Sequence, residues 1–317
     1  MLKVAVIGVG YLGRHHARIY ANMPGIDLVG VCDSNIERGQ AIAKEYNTRF
    51  YSNYRELFGK IDAASLAVPT IDHCLIGCEL LKNKVSVLIE KPIAHTLSEA
   101  DKLISTAQAN NVCLQIGHLE RFNPAVVAVS KVVTTPRFFE THRMSLFSPR
   151  SLDIDVVMDL MVHDLDIISW LVKSPVINIS AVGIPVISPK FDIANARLEF
   201  ANGCVANVTA SRISSEKTRK LRLFQPGVYI SLDYVTQQAA ICSLLPPKTA
   251  IGQPVIEAGL LPVVTDEPLR AELAAFVASV KHSQPPLVTG QDGRNALALA
   301  LDVSEKIAEH AKKVGLL

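Results

Sequence analysis

Asp159 and His163 stand four residues apart in the run DIDVVMDLMVHDLDIISWL, a spacing that places both side chains on one face of a helix. A carboxylate beside an imidazole orients the ring and favours its protonated form, which suits a general base working near neutral pH. The same pair can serve a metal ion, but that use wants a third strong ligand that the sequence does not name. It can also do no more than hold hydrogen bonds inside a packed helix. Glu90-Lys91-Pro92 closes a second informative run, VSVLIE. A lysine at a strand end can hydrogen-bond a substrate hydroxyl and stabilise the alkoxide character that grows as hydride leaves. The plain alternative is a solvated Glu-Lys pair. Pro92 stiffens the chain there, where its missing N–H is tolerated.

A hydride needs an acceptor, and the first residues specify one. Gly8, Gly10 and Gly13 in KVAVIGVGYLG follow an apolar strand directly, with Tyr11 and Leu12 between the last two. The first glycine permits a tight turn, the second lets backbone approach a pyrophosphate, and the third lets the next helix pack closely. The pyrophosphate then sits at a helix N-terminus. Asp33, twenty residues past Gly13, ends the run IDLVGVCD. Its carboxylate accepts hydrogen bonds from the adenosine ribose and repels a 2′-phosphate, so NAD is the expected cofactor. Arg38 nearby offers a phosphate partner, the route to NADP.

These residues require a scaffold. The first ~120 residues alternate strand-like and helix-like segments, as a parallel sheet covered on both faces does. The expected strands are 3–7, 26–32, 63–68, 85–89 and 112–117, and the expected helices are 12–21, 36–45, 71–82 and 97–109. Asp33 or Ser34 is the expected cap of the second helix, and Thr96 with Glu99 that of the fourth. Past Gly117 the pattern changes to a helix over about 154–171. Strand-like runs follow at 176–186, 192–200, 204–214 and 219–224, with Asn202-Gly203 as a hairpin turn. That succession predicts a second, α+β domain with an open, mostly antiparallel sheet. The segment 244–262, with four prolines, reads as a loop, and two helices over about 269–283 and 293–313 close the chain. The expected division is 1–120, a dinucleotide-binding domain, and 121–317, a second α+β domain.

In open α/β sheets ligands lie beyond the carboxyl ends of the strands. Three segments fall there: Pro69, Thr70 and His73; Glu90 and Lys91; and His118 through Asn123. The first two groups are expected to border the cofactor. His118, Arg121 and Asn123 are expected at the substrate, Arg121 on a phosphate or carboxylate and Asn123 on a sugar hydroxyl. His15 and His16, in the helix after the glycine turn, read as packing or phosphate-environment residues. Arg212 and Lys217 lie in a basic stretch that can reach an anionic substrate.

Composition narrows the class. A chain of 317 residues exceeds one ordinary core, so two domains are expected. With 49% hydrophobic and 20% charged residues, extensive disorder is excluded. A formal net charge of +2 gives no electrostatic basis for binding nucleic acid or a membrane surface. No secretory signal or membrane span is expected from the sequence. The cysteines at 32, 74, 78, 113, 204 and 242 include no C-x-x-C pair. Cys74 and Cys78, one helical turn apart, read as small buried residues, and a reducing, cytoplasmic setting is the default.

With the three glycines, Glu90-Lys91-Pro92 and Asp159-x-x-x-His163 in that order, the whole chain resembles the Gfo/Idh/MocA oxidoreductases. The resemblance implies that 1–120 is a Rossmann domain and 121–317 a substrate-binding, open-faced sheet domain that often mediates dimers or tetramers. It also implies NAD(P)-dependent dehydrogenation of CH–OH groups. It implies Lys91, Asp159 and His163 as the catalytic residues. Members often carry glycines just before the aspartate, where this chain has Asp155-Val156-Val157-Met158. The stretch GHLERFNPAV resembles a nucleotide-sugar branch, the UDP-N-acetylglucosamine 3-dehydrogenases. This implies oxidation of the sugar C3 hydroxyl on the way to lipid A or other surface glycans. An inositol or aldose dehydrogenase is the near alternative. A non-catalytic NAD-binding regulator is the remote one.

Overall fold

The computed structural model describes residues 1–147, 154–245 and 255–316. The chain forms two compact units, Met1–Leu119 with Glu267–Leu297, and Glu120–Asp266 with Ala298–Leu317. A single cut at residue 120 therefore differs from the packing, which returns Glu267–Leu297 to the first unit.

In the first unit six strands are present among the described residues: β1 (Leu2–Ile7), β2 (Ile26–Cys32), β3 (Arg49–Tyr51), β4 (Ala63–Leu66), β5 (Ser86–Glu90) and β6 (Leu114–Gly117). All pair in parallel, in the order β3-β2-β1-β4-β5-β6, so the order reverses beside β1. The central strands are apolar along their length because both faces are covered, and every residue of β5 is buried. Four helices alternate with the strands: α1 (Gly13–Ala21), α2 (Ile36–Glu45), α3 (Thr70–Lys82) and α4 (Leu97–Asn110). Thr96 and Glu99 form a reciprocal capping box at α4, worth about 1 kcal/mol. The cap of α2 is Asn35, not Asp33 or Ser34; its side chain accepts from the Arg38 N–H.

The second unit holds α5 (Pro124–Ser130), β7 (Phe138–Met144), a π-helical turn (Val157–Met161), α6 (Val162–Val172), β8 (Val176–Ile184), β9 (Ile193–Phe200), β10 (Val205–Ser211), β11 (Thr218–Gln225), β12 (Val228–Asp233), β13 (Gln238–Leu245) and β14 (Val255–Leu260). Among the described residues these strands make one sheet, β14-β13-β12-β11-β7-β10-β9-β8, antiparallel except where β7 meets β10. Asn202-Gly203 turns β9 into β10, with Gly203 at φ +80°. One face is covered: Phe139, Ala206, Val208, Leu221, Leu223, Ile230 and Leu232 are buried on it, and α5, α6 and the π-turn pack there. The loop expected over 244–262 is replaced, within the described residues, by the end of β13 and by β14; residues 246–254 lie outside them.

Two helices end the chain, α7 (Pro268–His282) and α8 (Gly290–Lys313). Leu273, Phe276 and Val277 of α7 join the first unit's core with Val4, Val6, Ala17, Tyr20 and Leu88. They fill the layer beside α1, which explains why this late segment belongs to the first unit. α8 starts in the first unit and ends in the second.

Candidate active site

The glycine turn meets the requirements set by its spacing. Gly8 has φ +83°, and a Cβ built on it would lie 2.6 Å from the Ala67 carbonyl oxygen. A Cβ on Gly13 would lie 1.8 Å from the Gly8 carbonyl oxygen, so α1 can start this close to β1 only with glycine there. At Gly10 nothing stands within 4 Å of the ideal Cβ, which leaves the backbone open to a ligand. The N-terminus of α1 has no side-chain cap and no acidic residue in its first turn. Its N–H groups and dipole therefore favour an anion. A cavity of about 650 Å³ opens on this turn, lined among others by Gly8, Gly10, Leu12, Asp33, Arg38 and Pro69. These features fit the adenosine and pyrophosphate of NAD. Tyr11 is exposed at the turn, and Thr70 opens α3 immediately after Pro69.

Asp33 has all four of its lone-pair positions engaged. Oδ2 accepts from the Val9 N–H at 2.8 Å and from Arg38 Nε at 3.1 Å, and Oδ1 from the Asn35 N–H at 2.8 Å and Arg38 Nη2 at 2.7 Å. Burial pushes the carboxyl's pKa upward, but the Arg38 hydrogen bond and the two backbone N–H groups hold it below the ordinary aspartate value. A ribose hydroxyl reaches Asp33 by taking a place that Arg38 now holds. Removing the carboxylate frees that arginine for a 2′-phosphate. Asp33→Ala is expected to raise the NADP-to-NAD ratio of kcat/KM by roughly 10–100-fold, the worth of a charge-assisted hydrogen bond. An unchanged ratio, measured with both cofactors on the same preparation, would remove Asp33 from cofactor selection.

At the end of β5, Glu90 Oε1 lies 3.0 Å from Nε2 of the fully buried His16. Burial raises the Glu90 pKa, yet the hydrogen bond and charge of His16, with Lys91 and His73 adding, hold it below the usual carboxylate value. His16 is thus the packing residue of α1 that fixes the acid beside Lys91. Lys91 follows, half-buried, and its bond to Pro92 is cis. His73 ties together the segments on either side: its Nδ1 is 3.0 Å from the Pro92 carbonyl oxygen and its Nε2 3.0 Å from that of Val68. Glu272 of α7 was not foreseen. It is fully buried, neither carboxyl oxygen has a hydrogen-bond partner among the described residues, and burial and the Glu90 charge raise its pKa well above the glutamate value. Both causes favour the neutral form of its carboxyl over the charged one. Its only signal was an acid at a core-facing position of a helix.

In the second unit Asp155 Oδ1 accepts the N–H groups of Val157 and Met158, both at 3.0 Å, and starts the π-turn that carries Asp159. His163 lies in the first turn of α6, so the expected continuous helix from 154 is a cap, a π-turn and then an α-helix. Such wide turns recur at functional sites. Val156 and Val157, just before Asp159, are buried. Both Asp159 and His163 are half-buried.

The residues of GHLERFNPA expected at the substrate, His118, Arg121 and Asn123, are buried. Arg121 makes two bonds to Asp166, at 2.8 and 2.6 Å, and lies over the Trp170 ring. Asn123 caps α5 through the Ala125 N–H and donates to the Tyr234 carbonyl oxygen at 3.0 Å. His118 is buried, 2% exposed, at the end of β6. Arg143 anchors a larger group: it bonds Asp164 at 2.7 and 3.1 Å and Glu120 at 3.0 Å, over the ring of Tyr234. Arg212 is buried too, bonded to Asp192, Ser188 and the Ile154 carbonyl, whereas Lys217 is exposed. All six cysteines are free, and among the described residues no three His, Cys, Asp or Glu side chains group as metal ligands.

Residues 2–118 match the model of an oxidoreductase family with an NAD-binding Rossmann fold, and residues 129–225 match that of the GFO/IDH/MocA C-terminal domain. The chain is 36% identical to UDP-N-acetylglucosamine 3-dehydrogenase of Acidithiobacillus ferrooxidans over 303 residues, 95% of this chain and 96% of that enzyme. A solved structure of that enzyme matches with a TM-score of 0.90 at 35% identity, over 96% of this chain and 97% of the other. The scyllo-inositol 2-dehydrogenase (NAD(+)) of Bacillus subtilis is more distant, 26% identical over 67% of this chain and 68% of its own.

Proposed function

The chain belongs to the Gfo/Idh/MocA oxidoreductases, and on that premise we propose that it oxidises the C3 hydroxyl of UDP-N-acetylglucosamine to a ketone. The observation that carries this reading is the 36% identity to the Acidithiobacillus enzyme along 95% of the chain. Bound NAD supplies the hydride acceptor. Lys91 donates a hydrogen bond to the reacting oxygen and stabilises its developing negative charge. His163 takes the hydroxyl proton, and the Asp159 carboxylate favours the imidazolium that results. His16 and Glu90 hold the β5 end so that Lys91 keeps its place.

The ketone is a substrate for amination on a route to lipid A or another surface glycan. The six free thiols support a reducing, cytoplasmic setting. A homodimer or homotetramer is supported by the exposed apolar residues of the edge strand β14, Ile256 and Leu260, which suit a second copy better than water. The reading is tested with NAD, purified protein and a ketone trap. NADH is expected with UDP-N-acetylglucosamine but not with free N-acetylglucosamine or inositol. Equal rates with a free polyol would transfer the assignment to the inositol or aldose class, and NAD binding without turnover of any of them to a regulator.

A further inference from the structure

The covered face of the second unit's sheet carries two arginines directly opposite each other, Arg143 on β7 and Arg219 on β11. The rest of this stretch is apolar or neutral in register: Leu221 faces Thr141 and Leu223 faces Phe139. Like charges placed across a strand pair repel, so the sheet has no structural use for the second arginine. Arg143 is fully buried and takes Asp164 and Glu120. Arg219 keeps its Nε buried with no hydrogen-bond partner among the described residues. A buried donor left without an acceptor is costly, and a ligand acceptor recovers that cost. Unlike Arg143, the residue is only half-buried, so its guanidinium is within reach of a ligand.

Its surroundings place it beside the catalytic helix. Asp164, bonded to Arg143, directly follows His163, and the charges of Glu120, Asp164 and Asp159 act on Arg219. Burial first, and then the Arg143 cation, lower its pKa below the usual arginine value. The site therefore holds a cation that an incoming anion would stabilise. Arg212 and Lys217, the basic residues nearest in sequence, do not compete for this role. The first is buried on Asp192, and the second lies on the exposed approach to β11.

We propose that Arg219 recognises the diphosphate of the nucleotide-sugar substrate, a role that rests on the reading given under Proposed function. A planar guanidinium offers paired donors to phosphate oxygens, which lysine cannot reproduce. Arg219 thus distinguishes a nucleotide sugar from a free sugar, while Lys91, Asp159 and His163 perform the oxidation common to both.

The test combines kinetics with calorimetric binding of UDP alone to the NADH-loaded protein. Arg219→Met is expected to weaken UDP binding and to raise the KM for UDP-N-acetylglucosamine by about 10–100-fold, the worth of charge-assisted hydrogen bonds, with kcat nearly unchanged. Arg219→Lys, which keeps the charge and a similar volume, is expected to recover only part of the loss. Arg222→Met, on the exposed face of the same strand, is the control and leaves both values at wild type. Unchanged UDP affinity in the Met variant overturns the proposal. So does a fall in kcat with a displaced pH profile at constant KM, because Arg219 would then act through Asp159. Wild-type protein that binds UDP but fails to oxidise the UDP-sugar would instead refute the function reading, and the UDP titration of the variants would still decide the role of Arg219.

Discussion

Lys91→Ala is expected to reduce turnover about 10²–10³-fold, the loss typical when one donor to a developing oxyanion is removed. The residue leaves a strand that is buried along its whole length, and Glu90 before it is fixed by His16 at 3.0 Å. The role proposed for Lys91 needs the backbone that carries it to be fixed, and this anchoring fixes it. NAD affinity should remain at the wild-type value, since the cavity lined by the glycine turn, Asp33 and Arg38 does not include Lys91. Lys91→Arg should stay impaired, because a broad planar fork does not reproduce a compact point donor. His163→Ala removes the proposed base and is expected to cost ~10²–10⁴-fold. Steady-state rates from NADH absorbance, with NAD titrated calorimetrically into the same samples, give both quantities. Full turnover in Lys91→Ala with NAD still bound would leave Glu90-Lys91 as the solvated strand-end pair considered at the outset.

The second large effect concerns stability. Arg143→Met should destabilise the second unit by about 3–5 kcal/mol, because it strands the carboxylates of Asp164 and Glu120 in the interior. The two side chains of the Arg143–Asp164 pair are only 2% and 1% exposed, so water cannot replace the missing partner. Arg222 and Glu140 provide the contrast on the same two strands, paired at 3.0 Å but with side chains 48% and 33% exposed. Arg222→Met is expected to change stability by no more than ~1 kcal/mol. Thermal melts of the two variants should differ plainly. Equal melting temperatures would mean that the buried cluster relaxes by admitting water or by taking up protons.

The glycine turn, the strand and helix alternation of the first unit, and the capping box at Thr96 were legible because each signal is local. Their residues lie within one or two turns of each other, and backbone geometry dictates their types. What the sequence concealed depends on partners far along the chain. Arg121 read as an anion-binding residue because its acceptor, Asp166, is 45 positions away. Strand β7 escaped notice because its inward series is Phe139, Thr141 and Arg143, and a buried arginine breaks the apolar alternation that marks a strand. The same arginine becomes intelligible once Asp164 and Glu120 are seen to enclose it. α7 was recognised as a helix, but nothing local says which unit its apolar stripe covers. The π-turn under Asp159 was equally hidden, since a wide turn and an α-turn share one hydrophobic pattern over five residues.

The measurement closest to the central claim follows the hydride itself. UDP-N-acetylglucosamine deuterated at C3 would be incubated with the protein, NAD and a ketone trap, and the reduced cofactor analysed by mass spectrometry. Deuterium is expected in the NADH, in proportion to the trapped 3-keto sugar, and its transfer should fail in His163→Ala. NADH formed without the label, with the deuterium still on the sugar, would contradict oxidation at C3.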